Sequence, residues 1–191
     1  MSDMRVIRLD TVDSTNTYLH AYRGDEDVVV VTARHQTAGR GQGGNRWEDA
    51  EGQNLLFSIQ IRPGEVAIGH QFVLAMAEAL ALKRALDAYA DGMELKWPND
   101  IYHRDRKLSG TLIETAVSGG RLKRMILGTG INVNQRRFTS DAPNPVSLSQ
   151  ITGRDECIDH LLERILQAFD DYYRRVQEGD YAGISREYHE A

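Results

Sequence analysis

The clearest structural signal in this chain is a β-hairpin in its second half. Two alternating segments, 108–117 and 121–127, flank the turn Ser118-Gly119-Gly120. A short glycine-containing link between two alternating segments is typical of an antiparallel hairpin. The hairpin is therefore the strongest reason to expect an antiparallel sheet in this protein.

Other strand and helix patterns occur along the whole chain. Residues 54–61 alternate, so that Leu55, Phe57, Ile59 and Ile61 share one face of a strand. Further strands are predicted at 6–10, 27–34, 95–97 and 101–103, and helices after Ser14–Thr15, at about 69–89, at 156–176 and from Tyr181. Antiparallel strands interleaved with a few helices predict an α+β fold, with a mixed, mainly antiparallel sheet and helices packed mainly on one face.

Length and composition exclude several classes of protein. A chain of 191 residues is sufficient for one domain with a real core. The 23 basic and 28 acidic residues give a net charge of −5, which argues against nucleic acid as the main partner. No segment approaches the ~18 apolar residues of a membrane span, and the first ten residues lack the apolar core of a signal peptide. The single cysteine, Cys157, fits a reducing compartment, so we expect a cytoplasmic protein.

Common catalytic and metal-binding patterns are absent from the sequence. The six histidines show no metal-ligand spacing, and one cysteine offers no zinc site. There is also no G-x-S-x-G elbow of a hydrolase. No protein-held metal is therefore expected.

A glycine-rich segment at 35–53 is the most informative stretch. Its residues 39–44, GRGQGG, satisfy the pattern G-x-G-x-x-G, but a strand rather than a helix follows, so a dinucleotide-binding fold is not indicated. Glycines allow close approach of backbone N–H groups to anionic oxygens, Arg40 and Arg46 supply cations, and Trp47 supplies a stacking surface. The segment therefore predicts an anion-binding loop, and an ordinary surface loop is the alternative.

Three further motifs carry polar groups or glycines at strand ends. The sequence KWPND at 96–100, followed by KLSG at 107–110, places an amide, a carboxylate and a lysine near one another; the alternative is a plain turn. In GTGINVN at 128–134, the two glycines either leave a gap for a ligand or mark a bulge. The sequence DSTN at 13–16 is by itself only a helix cap.

Taken together and in order, these motifs resemble the catalytic domain of biotin protein ligase. The resemblance comprises DSTN at 13–16, QTAGRGQGGNRW at 36–47, KWPND at 96–100, RKLSG at 106–110 and GTGINVN at 128–134. The order and spacing of five motifs is far more specific than any single one. The resemblance covers nearly the whole chain.

The resemblance implies a fold of the biotin/lipoate ligase type, which is similar to class II synthetases, and a two-step reaction. Biotin, the substrate, reacts with ATP to give biotinyl-5′-AMP and pyrophosphate, and a lysine of a biotin carboxyl carrier protein then accepts the biotin. Mg²⁺ is expected to arrive with ATP rather than in a site fixed by the protein. No nucleic acid or membrane partner is implied, and the protein is expected to be a monomer or a homodimer.

The resemblance also implies site residues. The residues that it assigns to biotin are Ser14, Thr15, Asn16, Gln36, Arg40, Gly41, Gln42, Lys107, Gly110, Gly128 and Gly130. Those that it assigns to the nucleotide are Arg46, Trp47, Lys96, Asn99 and Asn132. Arg40 and Lys107 are expected to offset the repulsion between carboxylate and triphosphate, and Asp100 is expected to accept the proton of the attacking lysine.

Some features depart from the family pattern. Gln42 and Asn45 stand where family members commonly have basic residues, so the adenylate is expected to be held less tightly. From the sequence we expect residues 1–191 to form the catalytic domain, without an N-terminal DNA-binding domain and with the usual C-terminal β-barrel-like domain absent or truncated.

Two other functions are compatible with these motifs. One is a lipoate- or octanoate-protein ligase of the same fold, which would use the same adenylate chemistry. The other is a non-catalytic biotin-binding sensor, against which the joint presence of Arg40, Asp100 and Lys107 argues.

Overall fold

The strands form a single mixed sheet. The computed structural model describes residues 4–64, 66–98, 100–140 and 144–191. The strands are β1 (Met4–Val12), β2 (Val28–Gln36), β3 (Leu55–Ile61), β4 (Met93–Lys96), β5 (Asp100–His103), β6 (Arg106–Ser118) and β7 (Arg121–Ile131). Their spatial order is β1-β2-β3-β7-β6-β5-β4. Strands β1 and β2 are parallel and all other neighbours are antiparallel, which confirms the predicted sheet.

The helices cover the two faces of the sheet unequally. They are α1 (Thr15–Ala21), α2 (Gln71–Leu86), α3 (Leu148–Thr152), α4 (Ile158–Gln177) and α5 (Tyr181–Glu190). Helix α2 contacts both α4 and α5, and the main apolar core lies between this layer and the sheet. Helix α1 covers the opposite face over a smaller cluster of Leu19, Val29, Val31 and Ile126. The prediction of helices mainly on one face is confirmed.

Strand β3 shows how the sheet connects the core with the opposite face. Its alternating apolar residues, Leu55, Phe57, Ile59 and Ile61, belong to the main core as predicted. The whole strand is buried, because the sheet is covered on both sides at this point. Ser58 on the opposite face reaches helix α1, which places a polar group under that helix.

Two differences from the predicted elements have clear local causes. Strand β2 continues to Gln36, two residues beyond the predicted end, because Thr11 and Val12 of β1 pair with His35 and Gln36. Helix α3 was not predicted, although Ser147 and Gln150 form a capping box at its start. A helix of five residues is too short to show an apolar period. None of the helices in the described ranges is long and apolar enough to cross a membrane.

A buried carboxyl group lies between helix α2 and the sheet. Glu78 is 2% exposed. Its Oε1 accepts a hydrogen bond of 2.5 Å from Thr129 on β7, and the Thr111 hydroxyl on β6 lies 3.4 Å away. Burial raises the pKa of Glu78 to about 7, although the two hydroxyl groups favour the ionised form. The folded protein therefore binds a proton here that the unfolded chain releases near its ordinary pKa.

We expect Glu78→Gln to change the pH dependence of stability. Because folding raises the pKa of Glu78 from 4.5 to about 7, this group stabilises the fold at low pH, and its contribution declines as the pH rises through that interval. The variant should be more stable than the wild type at pH 8, by on the order of 3 kcal/mol, with little difference at pH 4. Urea unfolding from pH 4 to 8 measures this. Glu94→Gln, at an exposed glutamate, is the control, and identical pH profiles for Glu78→Gln and wild type would contradict the expectation.

Candidate active site

Two adjoining cavities lie where the glycine-rich segment crosses the sheet. The larger has a volume of about 560 Å³, and the smaller has about 20 Å³. Four residues line both, namely Arg40, Trp47, Gly110 and Leu112. The two cavities therefore form one site with a narrow and a wide end.

Hydrogen bonds between helix α1, strand β2 and strand β3 build the narrow end. The backbone N–H of Thr15 donates to Oε1 of Gln36 at 2.7 Å, and the Thr15 hydroxyl donates to the same oxygen at 3.1 Å. The Ser58 hydroxyl lies 2.7 Å from Oγ1 of Thr15 and 2.6 Å from Oδ1 of Asn16. Ser14 is the N-cap residue of α1 but makes no side-chain cap bond, and Gln36 accepts the first N–H group of the helix. Ser14, Thr15, Asn16 and Gln36 thus line one cavity.

The two glycines of β7 leave a gap in the floor of the site. A Cβ at Gly128 would overlap the Asn16 amide, and a Cβ at Gly130 would overlap the Trp47 ring. Pairing with β3 and β6 runs through these residues without a register shift. The bulge considered for this motif is therefore excluded, and the space beside the two glycines is occupied by the Asn16 amide and the Trp47 ring. That a ligand also uses this space stays a prediction.

The glycine-rich segment between β2 and β3 forms a small hairpin-like loop. Gly41 donates its N–H to the Asn45 carbonyl at 2.7 Å, and Trp47 donates its N–H to the Gly39 carbonyl at 3.1 Å. Apart from one short 3₁₀ turn at Gln42–Gly44, no helix follows before β3, which is the reason for rejecting a dinucleotide-binding fold. The loop therefore lies over β7, with Trp47 facing Gly130.

Two carboxylates anchor the end of this loop. The Glu48 carboxylate accepts the backbone N–H groups of Thr139 and Ser140 at 2.9 and 2.8 Å. Despite the opposing effect of burial, these hydrogen bonds hold the pKa of Glu48 below its usual range. Asp49 accepts the N–H of Gln36 at 3.1 Å and lies 2.9 Å from Nδ1 of His35. The loop is thereby tied to β2 and to the segment after β7.

An ion pair lies at the wide end of the site. Nζ of Lys107 donates to Oδ2 of Asp100 at 2.8 Å. Gly110 lies beneath this pair, because a Cβ there would be 3.1 Å from Oδ1 of Asp100 and 3.2 Å from Nζ of Lys107. Asn132 lines the same cavity, but its Nδ2 donates to the Val146 carbonyl at 3.1 Å.

A second ion pair involves a residue that sequence reasoning missed. Nη2 of Arg40 donates to Oε1 of Glu114 at 3.1 Å. Burial opposes ionisation of Glu114, but hydrogen bonds with Asn16 and His20 and the charge of Arg40 hold its pKa below the usual range. Glu114 follows Gly110 and Leu112 at alternate positions of β6, so the three residues share one face of the strand. This alternation is the sequence signal that could have identified Glu114 as a site residue.

The structure places most of the predicted site residues along these cavities. The wide end is lined by Gly41, Gln42, Arg46, Asp100, Lys107 and Asn132. Lys96 does not line either cavity; its Nζ lies 4.4 Å from the ring centroid of Tyr102, which does line the wide end. Asn99 lies outside the described residues. Further lining residues that the sequence did not indicate are Glu48, Tyr102, Phe138 and Ser140.

One buried donor in the site has no partner within the described part of the chain. Nε1 of Trp47 is buried, and nothing in these residues accepts its proton. Trp47 lines both cavities, but this N–H is buried and its nitrogen lies against Gly130 of β7. Among the same residues, no group of His, Cys, Asp and Glu could hold a metal ion.

Comparison with known proteins gives consistent matches. The model of the biotin/lipoate A/B protein ligase family matches residues 9–132. The bifunctional ligase/repressor BirA of Salmonella typhimurium is 36% identical over 140 residues, which are 71% of this chain and 43% of that protein. The biotin–[acetyl-CoA-carboxylase] ligase of Paracoccus denitrificans is 30% identical over 92% of this chain and 76% of its own. The chain thus spans about half the length of the BirA relatives that it matches.

A solved structure agrees with the fold. The biotin protein ligase from Aquifex aeolicus in complex with biotin and ATP matches with a TM-score of 0.79 and 31% sequence identity. The match covers 91% of this chain and 72% of that one.

We expect Gly130→Ala to displace Trp47 from the site. A methyl group at this position would overlap the indole ring, and β7 is paired on both edges, so the loop has to move instead of the strand. In a Trp97→Phe background, Trp47 is the only tryptophan, and its emission maximum should shift to longer wavelength. Gly69→Ala is the control, because a Cβ there meets nothing within 4 Å. An unchanged emission maximum in Gly130→Ala would argue against this contact.

Proposed function

The chain belongs to the biotin/lipoate A/B protein ligase family, and we propose that it is an ATP-dependent biotin ligase. It would activate biotin as biotinyl-5′-AMP and transfer the biotin to a lysine of a biotin carboxyl carrier protein. The observation that carries the proposal is the pair of adjoining cavities with Arg40 at their junction and Lys107 in the wide one. A narrow polar end and a wide cationic end suit an acid with a small polar head group and a nucleotide.

The narrow end suits the ureido ring of biotin. Oε1 of Gln36 accepts two hydrogen bonds from Thr15, so the Gln36 amide presents Nε2 as a donor. Asn16 presents an oxygen over Gly128, where its Oδ1 fills the gap in the strand. A ureido ring has a carbonyl oxygen and two N–H groups, so one donor and one acceptor complement it. Ser14 lines the same cavity.

The first step joins two anions, and the site contains cations for it. An oxygen of the biotin carboxylate would attack the α-phosphorus of ATP while the bond to the β-phosphate breaks and pyrophosphate leaves. Arg40, which is exposed, and Lys107, which is half-buried, would offset this repulsion. Gly41 and Gly110 line the same cavity and would allow close approach of the ligand. Trp47 and Arg46 would contact the nucleotide, as would Asn132; Lys96 and Asn99 are proposed for this role from the sequence alone.

The carboxylates at the wide end do not form a cage for Mg²⁺. Glu48 accepts backbone N–H groups and Asp100 is paired with Lys107. Mg²⁺ is commonly held by substrate phosphates and one or two carboxylates, so either residue is a suitable ligand only together with ATP. When bound, the ion would add positive charge beside the phosphates.

The second step requires a neutral amine. The acceptor lysine has an ordinary pKa near ~10.4 and must lose a proton before its nitrogen attacks the acyl carbon and AMP leaves. Asp100, which is paired with Lys107, would hold this ammonium group and accept its proton, directly or through water, once a ligand anion engages Lys107. The glycine-rich loop over β7 would exclude water from the mixed anhydride.

Release of pyrophosphate tests the proposal. With Mg·ATP, we expect release that depends on biotin and not on lipoate, and on the order of 10²-fold slower release by Lys107→Ala, because one charge-assisted contact in the transition state is lost. Lys123→Ala is the matched control at an exposed lysine. Release of pyrophosphate with lipoate but not with biotin would indicate a lipoate ligase. Binding of biotin without release of pyrophosphate would indicate a non-catalytic biotin sensor.

The residue at position 42 offers a test of adenylate retention. Gln42 lines the wide cavity and stands where family members commonly have arginine. We expect Gln42→Arg to lengthen the residence of biotinyl-5′-AMP, because an added cation faces its phosphate. The rate of release of labelled adenylate from the isolated complex measures this, with Arg23→Gln, at an exposed cation that lines neither cavity, as control. An unchanged release rate would count against the idea.

A further inference from the structure

One carboxylate connects the two walls of the narrow cavity. Glu114 lies on the same face of β6 as Gly110 and Leu112, which line that cavity. Its Oε2 accepts a hydrogen bond from Nδ2 of Asn16 at 2.8 Å. Its other neighbours are Nε2 of His20, at 3.1 Å, and Nη2 of Arg40, at 3.1 Å. Glu114 thus joins helix α1 and the glycine-rich loop to the sheet.

The charge of Glu114 determines which way the Asn16 amide faces. An ionised carboxylate only accepts hydrogen bonds. If the Asn16 amide were turned over, Oδ1 would face an oxygen of Glu114 and both would lose a partner. The contact with Glu114 therefore fixes Nδ2 toward β6 and Oδ1 toward Gly128.

The fixed oxygen has room for one more hydrogen bond. Ser58 has one hydroxyl proton, which it directs to Oδ1 of Asn16 or to Oγ1 of Thr15. A carbonyl oxygen has two lone pairs, so in either case Oδ1 of Asn16 keeps at least one. Asn16 lines the narrow cavity, which is where a ligand N–H group would reach this lone pair.

We propose that Glu114 is a positioning residue that holds Asn16 as a hydrogen-bond acceptor for an N–H group of the bound acid. The inference rests on the proposed function, because the ureido ring of biotin carries such N–H groups whereas an alkyl chain or a dithiolane ring does not. Glu114 would in this way contribute to the choice of acid without contacting it.

The test measures the dissociation constant for biotin by calorimetry. Glu114→Met keeps the length of the side chain but cannot hold the amide, and we expect its dissociation constant to be about tenfold higher. Glu114→Gln should weaken binding by less than Glu114→Met, because its amide either accepts from Asn16 or donates to it and so no longer fixes one direction of the Asn16 amide. His20→Ala is the matched control, since it removes another neighbour of Glu114 without touching Asn16, and should leave the constant unchanged.

Two further measurements distinguish an effect of Glu114 through Asn16 from an effect through Arg40. Biotin methyl ester has no carboxylate, so its affinity should fall by the same factor in Glu114→Met if the effect acts through the ureido ring. In an Asn16→Ala background, Glu114→Met should raise the dissociation constant for biotin by less than about twofold. The effects of two residues that act through one another are not additive. Loss with biotin but not with the ester would assign the effect to Arg40 and overturn the proposal.

The outcomes distinguish this inference from the proposed function. A wild-type protein that does not bind biotin would overturn both. Biotin binding by the wild type with an unchanged constant in Glu114→Met, or with fully additive effects of the two substitutions, would overturn the positioning role alone. Urea unfolding checks that the variants fold, and Glu114→Ala carries the same expectation if the methionine variant does not.

Discussion

Strand β7 is hydrogen-bonded on both edges, to β3 and to β6, so its backbone cannot move aside for a ligand. On the site face, the missing side chains of Gly128 and Gly130 leave room for the Asn16 amide and the Trp47 ring. Between them, Thr129 points to the opposite face and donates to the buried Glu78. The same three residues therefore accommodate Asn16 and Trp47 on one side and fasten the strand to the helical layer on the other.

Two cations of the site are paired with carboxylates before any ligand arrives. Arg40 is paired with Glu114 and Lys107 with Asp100, and all four side chains retain some contact with solvent. Ion pairs of this kind contribute about 1 kcal/mol or less, so a ligand carboxylate or phosphate can replace the protein carboxylate at little cost. Release of Asp100 from Lys107 would leave it free for the acceptor amine in the second step, so one exchange of partners would link the two steps of the reaction.

The sequence was informative where a pattern has a local cause. The alternation of Leu55 to Ile61 and the hairpin of β6 and β7 predicted the sheet, since side chains of a strand alternate between its faces. The short helix α3 and the end of β2 were not predicted, because one is too short to show a period and the other depends on pairing with β1.

For the site, the sequence by itself determined which residue types are available: two glycines in a strand, a loop with two arginines, and a lysine after an aspartate. Only the tertiary structure decided what those residues do with one another. Gln36 caps helix α1 and Glu114 orients Asn16, across 21 and 98 positions of the chain, and no local spacing encodes such pairs. The physical reason is that the direction of an amide depends on which group lies opposite it, and strand pairing places that group there.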